Sequence, residues 1–570
     1  MTTVELVGTG PAADAVRAAL AETSAETVER GEPLPDDRPD LSVVVDGTGS
    51  EVFRRADRRA AATATPWVAV ELGGVGGVPV TEAAVAGFAP GTACYDCLRT
   101  RVRANVDETA NRPETPDAGT RRFAGAVAGR RIEQALTGEG ALAGSVVELP
   151  YTERRVLPVP GCDCDDGGRG WRLQGRAADH EADALARAEG GLDERVGVVG
   201  EVGEAESFPA PYYLASLSDT GGFSDATASP QAAGVAVDWD TAFMKALGES
   251  YERYAAGVYR TADLRRGTAD DVDGAVSPSA FVAPDGAADA GEPLHWAPAE
   301  RLEKGEQRWL PASVILYPPP ERAVRPPVTT GLGLGSTERE ALLSGLTEVI
   351  ERDAAMLSWY STVDPLGIAV EDSERFDTLR RRARSEDLDV TTLLLTQDVD
   401  VPVVAVALER DEWPRFALGS AADLDPEAAA VGALEEALQN WMELRGMGRE
   451  EAAEADGAIG RYAREPGPAT ALTEPETTVP LSSVGPDSVP EGAAALSALV
   501  DRAVEAGLSP YATRLTTRDL EQMGFEAVRV CCPTAQPLFF GDAYFGERAR
   551  RVPADLGYEA RLDRPHHPFP

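Results

Sequence analysis

The sequence predicts an α/β amino-terminal domain over residues 1–164, a link over residues 165–206, and a large α+β region over residues 207–570. Three observations carry that reading: a strand–glycine turn–helix at the start, two closely spaced cysteine pairs after it, and three long apolar helices bearing carboxylates in the second half. At 570 residues the chain is long enough for two or three domains, each with its own core.

The opening segment VELVGTGP, followed by AADAVRAALAE, reads as strand, turn and helix, with Gly8, Gly10 and Ala13 in G-x-G-x-x-A spacing. This start is Rossmann-like. Such a turn can seat a nucleotide phosphate at the helix amino terminus, and it serves equally well as a scaffold that binds no nucleotide. The acidic ribose ligand expected about 20 residues later on a second strand is missing, because ETVERGEPLPDDRPD reads as a loop. LSVVVDG and TPWVAVELGG are continuous apolar runs, which predicts buried parallel strands.

Cys94-x-x-Cys97 and Cys162-x-Cys164 follow on two separate loops. Four such thiolates can converge on one tetrahedral zinc, and a site so filled leaves no open position and is structural. Four ordinary reduced thiols are the other reading. Cys531 and Cys532 lie in a VRVCCP strand and read as core packing, and six cysteines in all are too few for a disulfide framework. The link is rich in Gly, Asp and Ala and contains one predicted helix. Residues 273–294 and 464–490 read as surface loops.

Charge excludes several partners. With 54 basic and 95 acidic residues the net charge is −41, which repels nucleic-acid backbones and anionic lipid. Only Lys245 and Lys304 are lysine. An acidic, lysine-poor surface suits a salt-adapted, halophilic cytoplasm, where carboxylates hold hydration. No apolar run is long enough to span a bilayer and no signal peptide is visible, so a cytoplasmic location is expected.

The chemistry lies on the three helices. In DWDTAFMKALGESYERYAAGVY, Asp238 or Asp240 can cap the start, and Glu249, Glu252 and Arg253 share a face at i, i+3 and i+4. STEREALLSGLTEVIERDAAMLSWY carries Ser336 and Glu340 and repeats that spacing at Glu348, Glu351 and Arg352. LDPEAAAVGALEEALQNWMELR sets Glu436 and Gln439 one turn apart. The bare string E-x-x-E-R is common in so acidic a chain; it recurs at Glu26–Arg30 and Glu371–Arg375, where ion pairs on a wet helix face suffice to explain it. The first two helices differ because they are apolar on much of their circumference, which predicts burial. Buried carboxylates need a compensating charge, and a divalent metal can satisfy several at once. A surface salt-bridge ladder is the competing account. No G-x-x-x-x-G-K-S/T string exists, which excludes a Walker-type ATPase.

The run TTGLGLGSTEREALLSGLTEVIERDA, with the Glu-x-x-Gln helix after GSAADLDPEAA, resembles the YcaO superfamily over residues 207–570. The resemblance implies an ATP- and magnesium-dependent enzyme, with Glu249, Glu252, Glu340, Glu348 and Glu351 as magnesium ligands. Ser336, Arg253, Arg352, Glu436 and Gln439 match positions near the nucleotide. Two departures stand out: Gly333 where the family often has Ser or Ala, and Asn440-Trp441 where a basic residue is common. The segment around PGTACYDCLRTRV resembles the shortened ThiF-like domains that accompany YcaO proteins. This implies a leader-peptide docking domain with a four-cysteine zinc and no adenylation.

The chain ends PHHPFP, and azoline-forming YcaO proteins resemble one another in such a proline-rich carboxyl terminus. The implied reaction is cyclodehydration of Cys, Ser or Thr to thiazoline or oxazoline in a ribosomally made precursor peptide, as in the biosynthesis of bacteriocins of the thiazole/oxazole-modified microcin type. Pro568, Pro570 and His567 are the candidate tail residues, with His567 or the terminal carboxylate as base. A frayed end is the alternative. A thioamidase and a non-catalytic peptide-docking scaffold are the rival functions. The resemblance also implies a homodimer and a separate leader-binding or dehydrogenase partner.

Overall fold

The computed structural model describes residues 2–33, 38–106, 116–137, 143–164, 169–175, 183–286, 291–321, 324–454, 457–486 and 488–570. Among these residues the strands form four sheets joined by helices, a mixed α/β architecture.

The apolar runs near the amino terminus form the strands expected of them. Thr3–Val7, Leu41–Gly47 and Trp67–Leu72 pair in parallel in a seven-stranded sheet. Ala83–Phe88, Ser145–Glu148 and Thr152–Arg155 continue it antiparallel. One expectation fails here. Glu26–Arg30 is the edge strand of this sheet, parallel to Thr3–Val7, not part of a loop. Its side chains are exposed or half-buried, so no apolar alternation marks it in the sequence. Its E-x-x-E-R string is therefore no helical ladder, and Glu29 pairs across to Arg17 at 2.7 Å. The Glu371–Arg375 copy straddles the start of the helix Glu374–Arg384, which Ser373 caps.

The link holds its expected helix at Ala184–Glu189, but its end is ordered differently. Val199–Glu206 is a strand paired with Tyr212–Leu217, which in turn pairs with Gln231–Val235. The strand Val199–Glu206 thus shares a three-stranded sheet with strands from beyond residue 206.

The remaining strands form a six-stranded and a five-stranded sheet. In the six-stranded sheet Leu332–Gly335 pairs with Glu526–Cys531, the VRVCCP strand, whose six residues are all buried. In the five-stranded sheet Val403–Glu409 is an inner strand, paired on both edges. Val403, Ala405 and Ala407 face one core and Val404, Val406 and Leu408 another. A strand buried on both faces needs a continuous apolar run, as VVAVAL provides.

Three helices pack among these sheets. Trp239–Gly257 starts at Asp238, whose carboxylate accepts from the Thr241 N–H at 2.9 Å, and it packs on the three-stranded sheet. Glu338–Trp359 lies between the six- and five-stranded sheets; Thr337, not Ser336, is its capping residue. Pro426–Ala452 starts at Asp425, kinks at Gly448 and covers the five-stranded sheet. One core cluster runs from Trp67 and Tyr95 of the first sheet region to Tyr251 and Trp296 of the second. No helix among the described residues is long and apolar enough to cross a membrane.

Candidate active site

The three carboxylate helices and the loop at residues 326–330 enclose a cavity of about 940 Å³. Glu249, Glu252, Arg253, Glu348, Arg352, Glu436, Gln439 and Pro570 all line it. The sequence spacing explains this convergence: each helix turns one face to the cavity and packs its apolar residues elsewhere.

Main-chain donors orient two of the carboxylates. Glu249 accepts from the Ala233 N–H at 2.6 Å and pairs with Arg253, while Glu348 accepts from the Gly331 N–H at 2.9 Å. Glu252 lines the same cavity. Burial, with Glu348 and Glu249 beside it, pushes its carboxyl up to about 8. Arg529 supports the cavity from behind by donating to the Thr329 and Val328 carbonyls at 2.6 and 2.7 Å.

Glu351 lies beneath the cavity, accepting from the Ser420 hydroxyl at 2.7 Å with Arg352 at 3.6 Å. Burial pushes it up to about 8 against the pull of Arg352, and the Glu436 carboxylate adds to the rise. Arg352 is the hinge of the group. It donates to the Pro570 main-chain oxygen at 3.0 Å and to Glu436 at 3.4 Å. Burial opposes its charge, but Glu351, Glu436 and Glu348 outweigh that and hold the guanidinium protonated.

Five residues predicted for this site do not line the cavity: Ser336, Glu340, Glu351, His567 and Pro568. Ser336 and Glu340 sit at the start of their helix, and Glu340 is exposed, accepting from the Ser336 N–H at 2.8 Å. Eight residues separate Glu340 from Glu348, about 12 Å along the axis, and Glu348 lines the cavity where Glu340 does not. Ser336 accepts instead from Arg187 at 2.7 Å.

The tail is anchored rather than frayed. Pro565 and His566 accept from Trp359 and Tyr462 at 2.9 and 2.6 Å, and Phe569 is buried. His567 does not line the cavity. It is fully buried, with Nε2 at 2.7 Å from the Phe539 carbonyl, and burial drives it down to about 3, so the ring is neutral.

Gly333 has a steric reason: a Cβ there would stand 2.2 Å from the Ala341 carbonyl, so the strand meets the helix backbone with no space for Ser or Ala. Asn440 donates to the Leu418 carbonyl at 2.8 Å, and Trp441 is buried under Arg410 and Arg445.

Lys245 and Glu435 also line the cavity, paired at 2.5 Å, and sequence reasoning passed over both. Lys245 lies one turn before Glu249 and is one of two lysines in the chain, which was the available signal.

The model of the family described as YcaO cyclodehydratase, ATP- and Mg2+-binding, matches residues 233–536, more than half of the chain. The chain belongs to the YcaO family. Every carboxylate named above lies inside the matched span. The YcaO chain is 32% identical over 209 residues to a protein of uncharacterised function from Methanothermobacter thermautotrophicus, an alignment covering 34% of this chain and 53% of that protein. The chain thus spans about half the length of the curated relative it matches. In fold it is similar to a heterocyclase solved in complex with substrate and cofactor: TM-score 0.72, 21% identity, 99% of this chain and 84% of that one. It is similar also to the heterocyclase TruD, with TM-score 0.65, 20% identity, and 98% and 82% covered. Both likenesses extend over the amino-terminal sheet.

In that region Cys94, Cys97, Cys162 and Cys164 meet, their sulfurs all within 4.8 Å of one another. Cys94 lies 3.7 Å from Cys97 and 3.6 Å from Cys162, and Cys97 lies 3.5 Å from Cys164. The Val159 N–H and Arg518 point at Cys97 and Cys164, at 3.2 and 3.4 Å. The cluster could hold a metal.

Proposed function

We propose that this YcaO protein is an ATP-dependent cyclodehydratase that activates backbone amides of a ribosomally made precursor peptide, converting Cys, Ser or Thr to thiazoline or oxazoline. One observation carries the reading: Glu249, Glu252 and Glu348 converge in one cavity from two helices, and burial among like charges holds Glu252 up to about 8. A carboxylate group left uncompensated in this way is suited to a hard divalent cation.

On this reading Glu249, Glu252 and Glu348 hold magnesium, and Glu351 supports them from beneath through Ser420 and Arg352. Bound magnesium would neutralise phosphate charge during phosphoryl transfer to the amide oxygen. Arg253, Arg352, Glu436 and Gln439 line the space for the nucleotide. Ser336 and Glu340 take no part in the metal set. The tail brings Pro570 to the cavity wall, where Arg352 donates to its oxygen, and the terminal carboxylate is the candidate weak base; the buried Pro568 and the neutral His567, held by Phe539, anchor the tail.

The amino-terminal sheet serves as a Rossmann-like, ThiF-like docking domain for the leader of the peptide, with zinc in its cysteine cluster. Zn–S bonds of about 2.3 Å at tetrahedral angles imply sulfur separations of about 3.8 Å, close to the 3.5–3.7 Å observed. Four thiolates make a closed, structural site.

The test is phosphate release with candidate precursor peptides, followed by product mass. Peptide-stimulated release with loss of one water per modified residue is expected. Exchange of oxygen for sulfur would establish the thioamide reaction instead, and no ATP turnover with any peptide would leave only a docking scaffold.

A further inference from the structure

The cysteine cluster and the carboxylate cavity are joined by a buried polar network that neither site requires for itself. Arg101 lies one turn after Cys97 on the helix Tyr95–Asn105. It forms an ion pair with Asp519, and both side chains are fully buried. Asp519 follows Arg518, which donates to the Cys164 sulfur at 3.4 Å and to its carbonyl at 3.3 Å. Each half of the ion pair therefore starts beside one cysteine pair. The Tyr254 hydroxyl completes the group: it donates to the same Asp519 oxygen at 2.6 Å and accepts from Arg101 at 3.3 Å. Tyr254 is also fully buried, and it lies two residues after Glu252 and one after Arg253 on the first carboxylate helix.

Burying a guanidinium, a carboxylate and a phenol together is costly in desolvation, and well-packed apolar residues would hold two bodies together at least as firmly. What a directional network adds is a defined relative position. Arg169 reinforces it at the carboxyl end of the same helix, donating to the Ala255 and Val258 carbonyls at 2.5 and 2.6 Å and also to the Leu515 carbonyl.

We propose that Arg101, Asp519 and Tyr254 are positioning residues that tie the four-cysteine cluster to the first carboxylate helix and so set where Glu249 and Glu252 stand. The inference rests on the reading of the cavity as a magnesium–ATP site. An intact cluster holds the helix Tyr95–Asn105 and the loop at residues 158–164 in place, Arg101 and Asp519 then meet, and Tyr254 locks the register of its helix.

The test uses the full chain and a double-mutant cycle of Tyr254→Phe and Cys164→Ser. The readouts are the Mg2+ concentration that half-saturates binding of a non-hydrolysable ATP analogue, and the melting temperature. Tyr254→Phe should raise that Mg2+ concentration roughly five-fold or more while moving the melting temperature little, and excess Mg2+ should restore binding. Cys164→Ser should raise the Mg2+ concentration likewise, with a lower melting temperature because the cluster itself is broken, and the two effects on Mg2+ should fail to add, because they act through one network. Wild-type affinity in Tyr254→Phe, or full additivity, overturns the inference while leaving the magnesium–ATP site standing. A wild-type protein that binds no Mg2+–ATP overturns the reading on which it rests. Should Cys164→Ser fail to fold, Arg518→Gln takes its place in the cycle with the same expected non-additivity.

Discussion

The molecule holds two clusters of acidic side chains gathered from distant segments, and they differ in what surrounds them. The four cysteines close on one another at 3.5–3.7 Å, with the Val159 N–H directed at Cys97 and Arg518 at Cys164. Nothing the size of a substrate fits among them. The carboxylates of Glu249, Glu252 and Glu348 instead face a space of about 940 Å³ and are only partly paired, Glu249 with Arg253. A closed set of ligands stabilises, whereas an open set can bind, react and release. On the proposed function, the contrast separates a structural cluster from a chemical one.

Three experiments break or sharpen that contrast. The largest effect is expected at the open cluster. Glu348→Gln should lower peptide-stimulated phosphate release by roughly 10²–10³-fold with little change in melting temperature, whereas Glu340→Gln, outside the cavity, should stay within about two-fold. Equal losses in the two variants would mean that the outer end of the helix belongs to the site. At the closed cluster the signs reverse. Cys97→Ser should lower the melting temperature by about 5–10 °C and abolish bound zinc, since a structural metal contributes directly to folding. A wild-type protein free of zinc by metal analysis would remove that metal from the account.

The smallest effect is in pH. The Glu252 carboxyl is raised from 4.5 to about 8 in the folded chain. A group raised on folding contributes stability fully below its unfolded value and loses it as pH rises through the folded value. The metal-free protein should therefore become less stable between pH 5 and pH 8, and Glu252→Gln should reduce that slope, leaving the share of Glu351, which is raised to about 8 as well. Magnesium competes with the same proton, so its affinity should rise with pH over this window by up to about ten-fold per unit, with proton release. Calorimetry in two buffers of different ionisation enthalpy measures both.

What the sequence made legible follows from how local each signal is. The three helices and their shared faces were readable because apolar periodicity and the i, i+3, i+4 spacing of Glu249, Glu252 and Arg253 are properties of one segment. The cysteine cluster was readable because the pairs are closely spaced. Glu26–Arg30 was not, because an edge strand with wet side chains carries no apolar alternation. Glu340 was joined to Glu348 through the family resemblance alone, and rise along the axis separates them. Lys245–Glu435, Ser420–Glu351 and Arg101–Asp519 are contacts between segments far apart in sequence, which no single-segment pattern announces. His567 was selected for its residue type, and burial against Phe539 decides its state instead.

The central claim is that the carboxylate cavity binds ATP through magnesium. Its most direct test is isothermal titration of a non-hydrolysable ATP analogue into wild-type protein and Glu252→Gln, each with and without Mg2+. Binding that requires Mg2+ in the wild type and is lost in Glu252→Gln is the predicted result; Mg2+-independent binding, or equal affinity in the variant, would contradict it.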